Sequence, residues 1–147
     1  MRRVQSEITI DANPEQVWTI LTDFAAYPEW NPFITRISGP LEVGGKLTVR
    51  LQPPGGRGIT FRPTVQTVEP RRHFGWLGRL LVPGLFDGAH EFLLTSTPDG
   101  GTHLLQRETF TGVLVSLFGR TLGQSSTGFD ESNQALKTRA ELRSTRA

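Results

Sequence analysis

The chain has 147 residues, 36% of them apolar and 20% charged, and a formal net charge of only +2. That size and balance predict a single soluble domain over residues 1–147 and exclude the clustered positive field that nucleic-acid binding needs. The absence of cysteine excludes disulfides, thiolate metal sites and a cysteine nucleophile, and it agrees with a cytoplasmic location.

Taken in order, the N-terminal residues lack the apolar core of a signal peptide, and no run approaches the ~18 apolar residues of a membrane span. Arg2–Asp11 is a predicted strand. Val4, Ser6, Ile8 and Ile10 alternate with Arg3, Gln5, Glu7 and Thr9, so one face is dry. A helix follows from about Pro14 to Asp23. Asn13 suits its N-cap, Pro14 its first position, and Val17, Ile20, Leu21 and Phe24 recur at helical spacing. A second short helical piece, Phe24–Glu29, ends at Trp30-Asn31-Pro32, because Pro28 and Pro32 disfavour helix around them.

Ile34–Leu41 and Lys46–Gln52 are the next strands, followed by the loop Pro53-Pro54-Gly55-Gly56. Ile59–Val68 is predicted as one strand with Ile59, Phe61 and Val65 on one face. Pro63 within it requires an edge position or a bulge. His73–Arg79 puts Phe74, Trp76 and Gly78 on a common face. Leu80–Gly88 is an unusually apolar loop. Ala89–Thr97 and Thr102–Thr111 form a hairpin about Pro98-Asp99-Gly100-Gly101. From Gly112 the pattern turns helical, and glycines divide it into two pieces, the longer from about Ser125 to Arg143. Its basic run, Lys137, Arg139, Arg143 and Arg146, is expected to solvate one helix face.

The run I-D-A-N-P-E-Q-V-W, continued by L-T-D-F-A-A-Y-P-E-W-N-P-F, resembles the N-terminal signature of the START-related SRPBCC superfamily. That group takes in polyketide cyclase-like proteins, START lipid-transfer domains and birch-pollen-allergen-like proteins. Consecutive strands with tight turns already imply antiparallel pairing. The resemblance implies an α+β helix-grip fold: a seven-stranded curved antiparallel sheet wrapped around a long C-terminal helix, with two short helices between strands one and two.

A gripped helix leaves room for an internal cavity, and the dry faces supply its candidate lining. Trp30, Phe61, Trp76, Phe86, Phe92, Phe110, Leu114, Phe118 and Phe129 are the apolar candidates; the alternative is that they are simply core. The polar residues on the same phase are more informative. His90 shares a face with Phe92, and Gln106 and Glu108 share one with Leu104 and Phe110. Buried there, they must be paired, and they could orient a ligand carbonyl or hydroxyl or transfer a proton. The structural alternative pairs Glu108 with an arginine and uses His90 to cap a backbone group.

Glu91 and Arg107 fall on the outer phase as a cross-strand pair, and His73 and His103 are expected outside. The three histidines have no metal-ligand spacing, so neither metal nor other cofactor is expected. Leu80–Phe86 and Val113–Phe118 are candidates for a gate over the cavity mouth.

The expected function is binding of a small hydrophobic ligand such as a lipid, isoprenoid or polyketide, by a monomer or homodimer. One alternative is a polyketide cyclase or aromatase using His90 and Glu108. A second is a protein-partner module using the outer sheet.

Overall fold

The computed structural model describes residues 1–79, 82–118 and 125–146. The elements run β1 (Arg2–Ile10), α1 (Pro14–Thr22), a 3-10 turn (Phe24–Ala26), α2 (Tyr27–Trp30), β2 (Ile34–Ser38), β3 (Thr48–Leu51), β4 (Ile59–Phe61) and β5 (Thr64–Glu69). After them come β6 (His73–Arg79), β7 (Asp87–Ser96), β8 (Thr102–Thr111), a second 3-10 turn (Val115–Phe118) and the long helix α3 (Ser125–Arg146).

Among the described residues the strands form two antiparallel sheets rather than one of seven strands. Five pair in the order β1-β8-β7-β6-β5, and three in the order β2-β3-β4. The extra strand comes from Pro63. With no N–H to donate, Pro63 cannot continue a ladder, and the segment expected as one strand splits there. β4 pairs with β3 and β5 with β6, each at the edge of its sheet. The sheets stay joined at this corner because Leu47 N donates to Pro63 O at 2.9 Å and Gly44 N to Val65 O at 2.8 Å. Ile59, expected on a dry face, is 53% exposed on the edge strand β4. The apolar loop is also shorter than its composition suggests. β7 begins at Asp87, so Gly88 is a strand residue facing Gly78 across the β6–β7 pair.

Local chemistry explains the turn into α1. The Asn13 side chain accepts from Gln16 N at 2.9 Å, and the Gln16 side chain accepts from Asn13 N at 3.0 Å. This reciprocal capping box satisfies two backbone donors that a helix start otherwise leaves unpaired. Tyr27 is buried and donates its hydroxyl to Leu21 O at 2.6 Å. Burial, and secondarily the Asp23 carboxylate, push its phenol far above the ordinary range.

α3 lays a buried stripe of Phe129, Ser132, Asn133, Leu136 and Ala140 on the sheet and packs chiefly against β1. The expectation that its basic residues only solvate it fails for two of them. Lys137 donates to Thr9 O at 2.9 Å, and Arg139 meets Glu29 at 3.2 Å, so they tie the helix to β1 and α2.

Gly128 shows why a helix breaker stands inside α3. A Cβ there would lie 2.5 Å from the ring of Phe33, which is itself buried and packed on Phe129 at 5.7 Å between centroids. Alanine would gain about 1 kcal/mol of helix propensity. Forcing the ring aside costs about 1–3 kcal/mol, so Gly128→Ala is expected to be net destabilising. Urea unfolding checks the sign, since a gain in stability would mean that Phe33 repacks freely.

Candidate functional site

The inner faces of β6, β7 and β8 meet in cross-strand rows. Trp76, His90 and Glu108 form one row, Phe74, Phe92 and Gln106 the next, and Gly78, Gly88 and Phe110 the row toward the other end. His90 is 2% exposed. Its ring stacks on Trp76 at 4.7 Å, tilts against Phe92 at 4.9 Å and meets Phe129 of α3 edge-on at 5.1 Å. An imidazole caged by three aromatic rings must satisfy both nitrogens within the protein.

Nε2 is satisfied through a chain of amides. His90 Nε2 lies 2.9 Å from Gln106 Oε1, and Gln106 Nε2 donates to Asn133 Oδ1 at 2.7 Å. Asn133 Nδ2 donates to both Ser6 O and Ser6 Oγ at 3.2 Å, and the Ser6 hydroxyl donates to Asp130. The direction of this chain is fixed at one point. The Ser6 carbonyl can only accept, so the Asn133 atom facing it is the NH₂. Asn133 Oδ1 therefore faces Gln106 as an acceptor, Gln106 presents its oxygen to the histidine, and His90 Nε2 carries a proton.

With Nε2 protonated, His90 Nδ1 is the nitrogen open to chemistry. It faces Glu108 Oε1 at 3.5 Å, longer than an ordinary hydrogen bond. A neutral imidazole of this tautomer offers a lone pair to the carboxyl, so the contact is attractive only with a proton on that axis, on nitrogen or on oxygen. Among the described residues the ionisable side chain facing Glu108 is this histidine and not an arginine. Glu108 also depends on a missing side chain. A Cβ on Gly88 would lie 2.6 Å from Glu108 Oε2. The Glu108 side chain is 16% exposed against 2% for His90, so solvent reaches the inner face at Glu108 and stops there.

The other sequence candidates divide. Trp76, Phe92 and Phe129 surround His90, and Gln106 anchors it. Phe110 is buried against Phe86 at 5.7 Å. Phe61 lies over Gly78, where an added Cβ would be 3.3 Å from its ring. Trp30 stands apart on α2, with its ring 4.9 Å from Tyr27. Leu114 is half-buried, and its N–H donates to Leu85 O at 3.1 Å. The Phe118 side chain lies outside the described residues. The two candidate gate segments bond to each other, since Val113 N also donates to Gly84 O at 3.2 Å, while Leu80 and Leu81 lie outside the described residues.

Sequence reasoning passed over Ser6, Asn133, Asp130 and Gly88. The first carried a signal, being the one hydroxyl in the dry alternation of β1. Asn133 carried another, at four residues from Phe129 on the buried stripe of α3. On the outer face Glu91 meets Arg107 at 3.0 Å, as the alternation predicts, but it also meets His73 at 2.8 Å. His73 is therefore half-buried rather than exposed. Burial alone would raise the Glu91 carboxyl, yet Arg107 and then His73 hold it below the ordinary glutamate range. Two surface clefts, of about 410 and 350 Å³, lie elsewhere: one beside Arg72 and His73, the other on the outer face of β2-β3-β4. Neither is lined by His90 or Glu108.

Among solved structures, the chain is similar to the Zhui aromatase/cyclase from Streptomyces sp. R1128, at 16% identity over 97% of this chain and 95% of that one, with a TM-score of 0.78. It is also similar to protein MLL2253 from Mesorhizobium loti, at 25% identity over 98% of both chains and a TM-score of 0.72. The di-domain aromatase/cyclase StfQ of the steffimycin biosynthetic pathway matches at 19% identity and a TM-score of 0.71. This chain covers 97% of its own length there but spans only about half, 51%, of StfQ. No curated protein matches the chain. The sequence profile described as polyketide cyclase / dehydrase and lipid transport matches residues 1–141. The chain therefore belongs to that family, within the START-related SRPBCC superfamily to which its N-terminal motif pointed.

Proposed function

We propose that this protein binds a small, largely apolar molecule bearing a carbonyl or hydroxyl group at the open end of the inner sheet face, with Glu108 as the polar contact and His90 behind it. The observation that carries this reading is the Glu108 carboxyl. It is a polar group reachable by solvent on a largely apolar face, placed over the bare backbone of Gly88 and linked to a caged histidine of fixed tautomer. The indole N–H of Trp76 adds to it. Among the described residues that donor is buried without an acceptor, a situation worth about 1–3 kcal/mol to any group that satisfies it. Apolar burial supplies affinity at about 25 cal/mol per Å², and the few polar groups fix orientation. A lipid, isoprenoid or polyketide has the required chemistry.

The second reading is proton transfer of the cyclase or dehydratase kind. The 3.5 Å axis between His90 Nδ1 and Glu108 favours it. Glu108 would take a proton from carbon or deliver one to a leaving hydroxyl, while His90 compensates the charge.

The test is native mass spectrometry of the purified protein, with extraction of what co-purifies, repeated for Gly88→Ala and Glu108→Gln. An oxygenated apolar compound is expected on the wild type. Gly88→Ala displaces the carboxyl and should lose it, with near-UV dichroism confirming the fold. Equal retention by both variants would place the ligand elsewhere. Turnover of a polyketide-like substrate that Glu108→Gln abolishes, with binding kept, would select the second reading.

A further inference from the structure

The outer face of the three-stranded sheet carries an arrangement that the inner site does not use. Arg36 of β2 and Arg50 of β3 are direct cross-strand partners, and Thr60 of β4 is next in the row. Ser38 and Thr48 form the adjacent row on the same face. With Phe24 as part of its apolar wall, this face encloses the cleft of about 350 Å³. No acidic residue lines it. Among the described residues neither arginine belongs to an ion pair.

Like charges directly opposite across a strand pair repel, yet the sequence holds them there. Arg50 Nη1 donates to Thr60 Oγ1 at 3.2 Å, which fixes its direction. Gly58 makes room for it, since a Cβ at that position would lie 2.5 Å from Arg50 Nη2. The two arginines rise from opposed positions of one sheet face and line the same cleft, with Arg50 turned toward β4, and a guanidinium can hold a doubly charged tetrahedral oxyanion through paired N–H donors. The hydroxyls of Ser38 and Thr48 are further donors on the same face.

We propose that this cleft binds a phosphate monoester dianion between Arg36 and Arg50. The group could come from a free phosphorylated molecule or from a phosphomonoester lipid headgroup. The site is independent of the inner face.

Inorganic phosphate is the first probe, titrated by calorimetry at constant ionic strength against chloride. Arg36→Gln and Arg50→Gln are each expected to weaken phosphate binding by about tenfold or more, the loss of one charge-assisted contact. The double variant should show no binding. Without phosphate and at low salt, each single variant should melt no lower than the wild type, because a repulsive neighbour is gone. That result also shows the variants are folded. Vesicles of phosphatidylcholine with and without phosphatidic acid then distinguish the sources. Arginine-dependent sedimentation only with phosphatidic acid assigns the headgroup, and phosphate binding without sedimentation assigns the free ester. Phosphate affinity equal in wild type and double variant, or none above chloride in the wild type, overturns the proposal.

Discussion

Gln106→Leu is expected to destabilise the protein by about 2–5 kcal/mol, because it strands two buried polar groups at once. His90 Nε2–H loses its acceptor, and Asn133 Oδ1 loses its donor. Neither group can turn to water: His90 is 2% exposed and Asn133 1%. Leucine fills the volume, so any loss reports on hydrogen bonding rather than on a cavity. Gln106→Glu separates the direction of the chain from its mere presence. One carboxylate oxygen still accepts from His90, but the other now faces Asn133 Oδ1, acceptor against acceptor. Asn133 must then turn its oxygen toward the Ser6 carbonyl, and the conflict moves one step down the chain without being removed. A second readout is independent of stability. The ¹⁵N spectrum of His90 should show a protonated, slowly exchanging Nε2 in the wild type, and Gln106→Leu should lose that protection. A wild-type histidine protonated on Nδ1 alone would contradict the chain's direction and remove the basis for assigning Nδ1 as the reactive nitrogen.

What could be read from the residues beforehand follows from the range of the forces involved. The alternation Val4-Ser6-Ile8-Ile10 and the hairpin about Asp99-Gly100 are local patterns, and both appear as strands, β1 and the β7–β8 pair. Pro63 marks a disturbance within Ile59–Val68 from the sequence alone. Whether a proline bends one strand or divides it between two sheets depends on which partners lie on either side, and that is a tertiary matter. The same holds for the site. The phase of each strand sets His90 with Phe92 on one and Gln106 with Glu108 on the next, because period two is a property of the chain itself, and the β7–β8 pairing joins the two faces. Asn133 could not be assigned to Gln106 in advance, since 27 residues and a change of element separate them. Gly88 reads in the sequence as a loop residue. Its role, leaving space for the Glu108 carboxyl, exists only once β7 and β8 are paired.

Asn31→Ala should cost about 3–5 kcal/mol, the combined penalty of two buried backbone donors left without an acceptor. Asn31 follows α2 in the W-N-P segment of the N-terminal motif and is 5% exposed. Its Oδ1 accepts from Phe33 N at 3.0 Å and from Ile34 N at 2.8 Å, and its Nδ2 donates to Ser132 Oγ at 3.2 Å. One side chain therefore closes the turn from α2 into β2 and also bonds to the buried stripe of α3. Phe33 and Ile34 are buried as well, so solvent cannot replace the lost oxygen. Asn31→Leu keeps the bulk and should lose about as much, which would exclude a packing explanation. Asn31→Asp should be milder near neutral pH, because the carboxylate accepts both N–H groups through charge-assisted bonds and the Ser132 hydroxyl can turn to donate to it. Chemical denaturation of the three variants gives the ordering, with aspartate least affected. Alanine within about 1 kcal/mol of the wild type would mean that the proline-flanked backbone holds the turn alone. The asparagine would then be dispensable to the placement of α3 across the site.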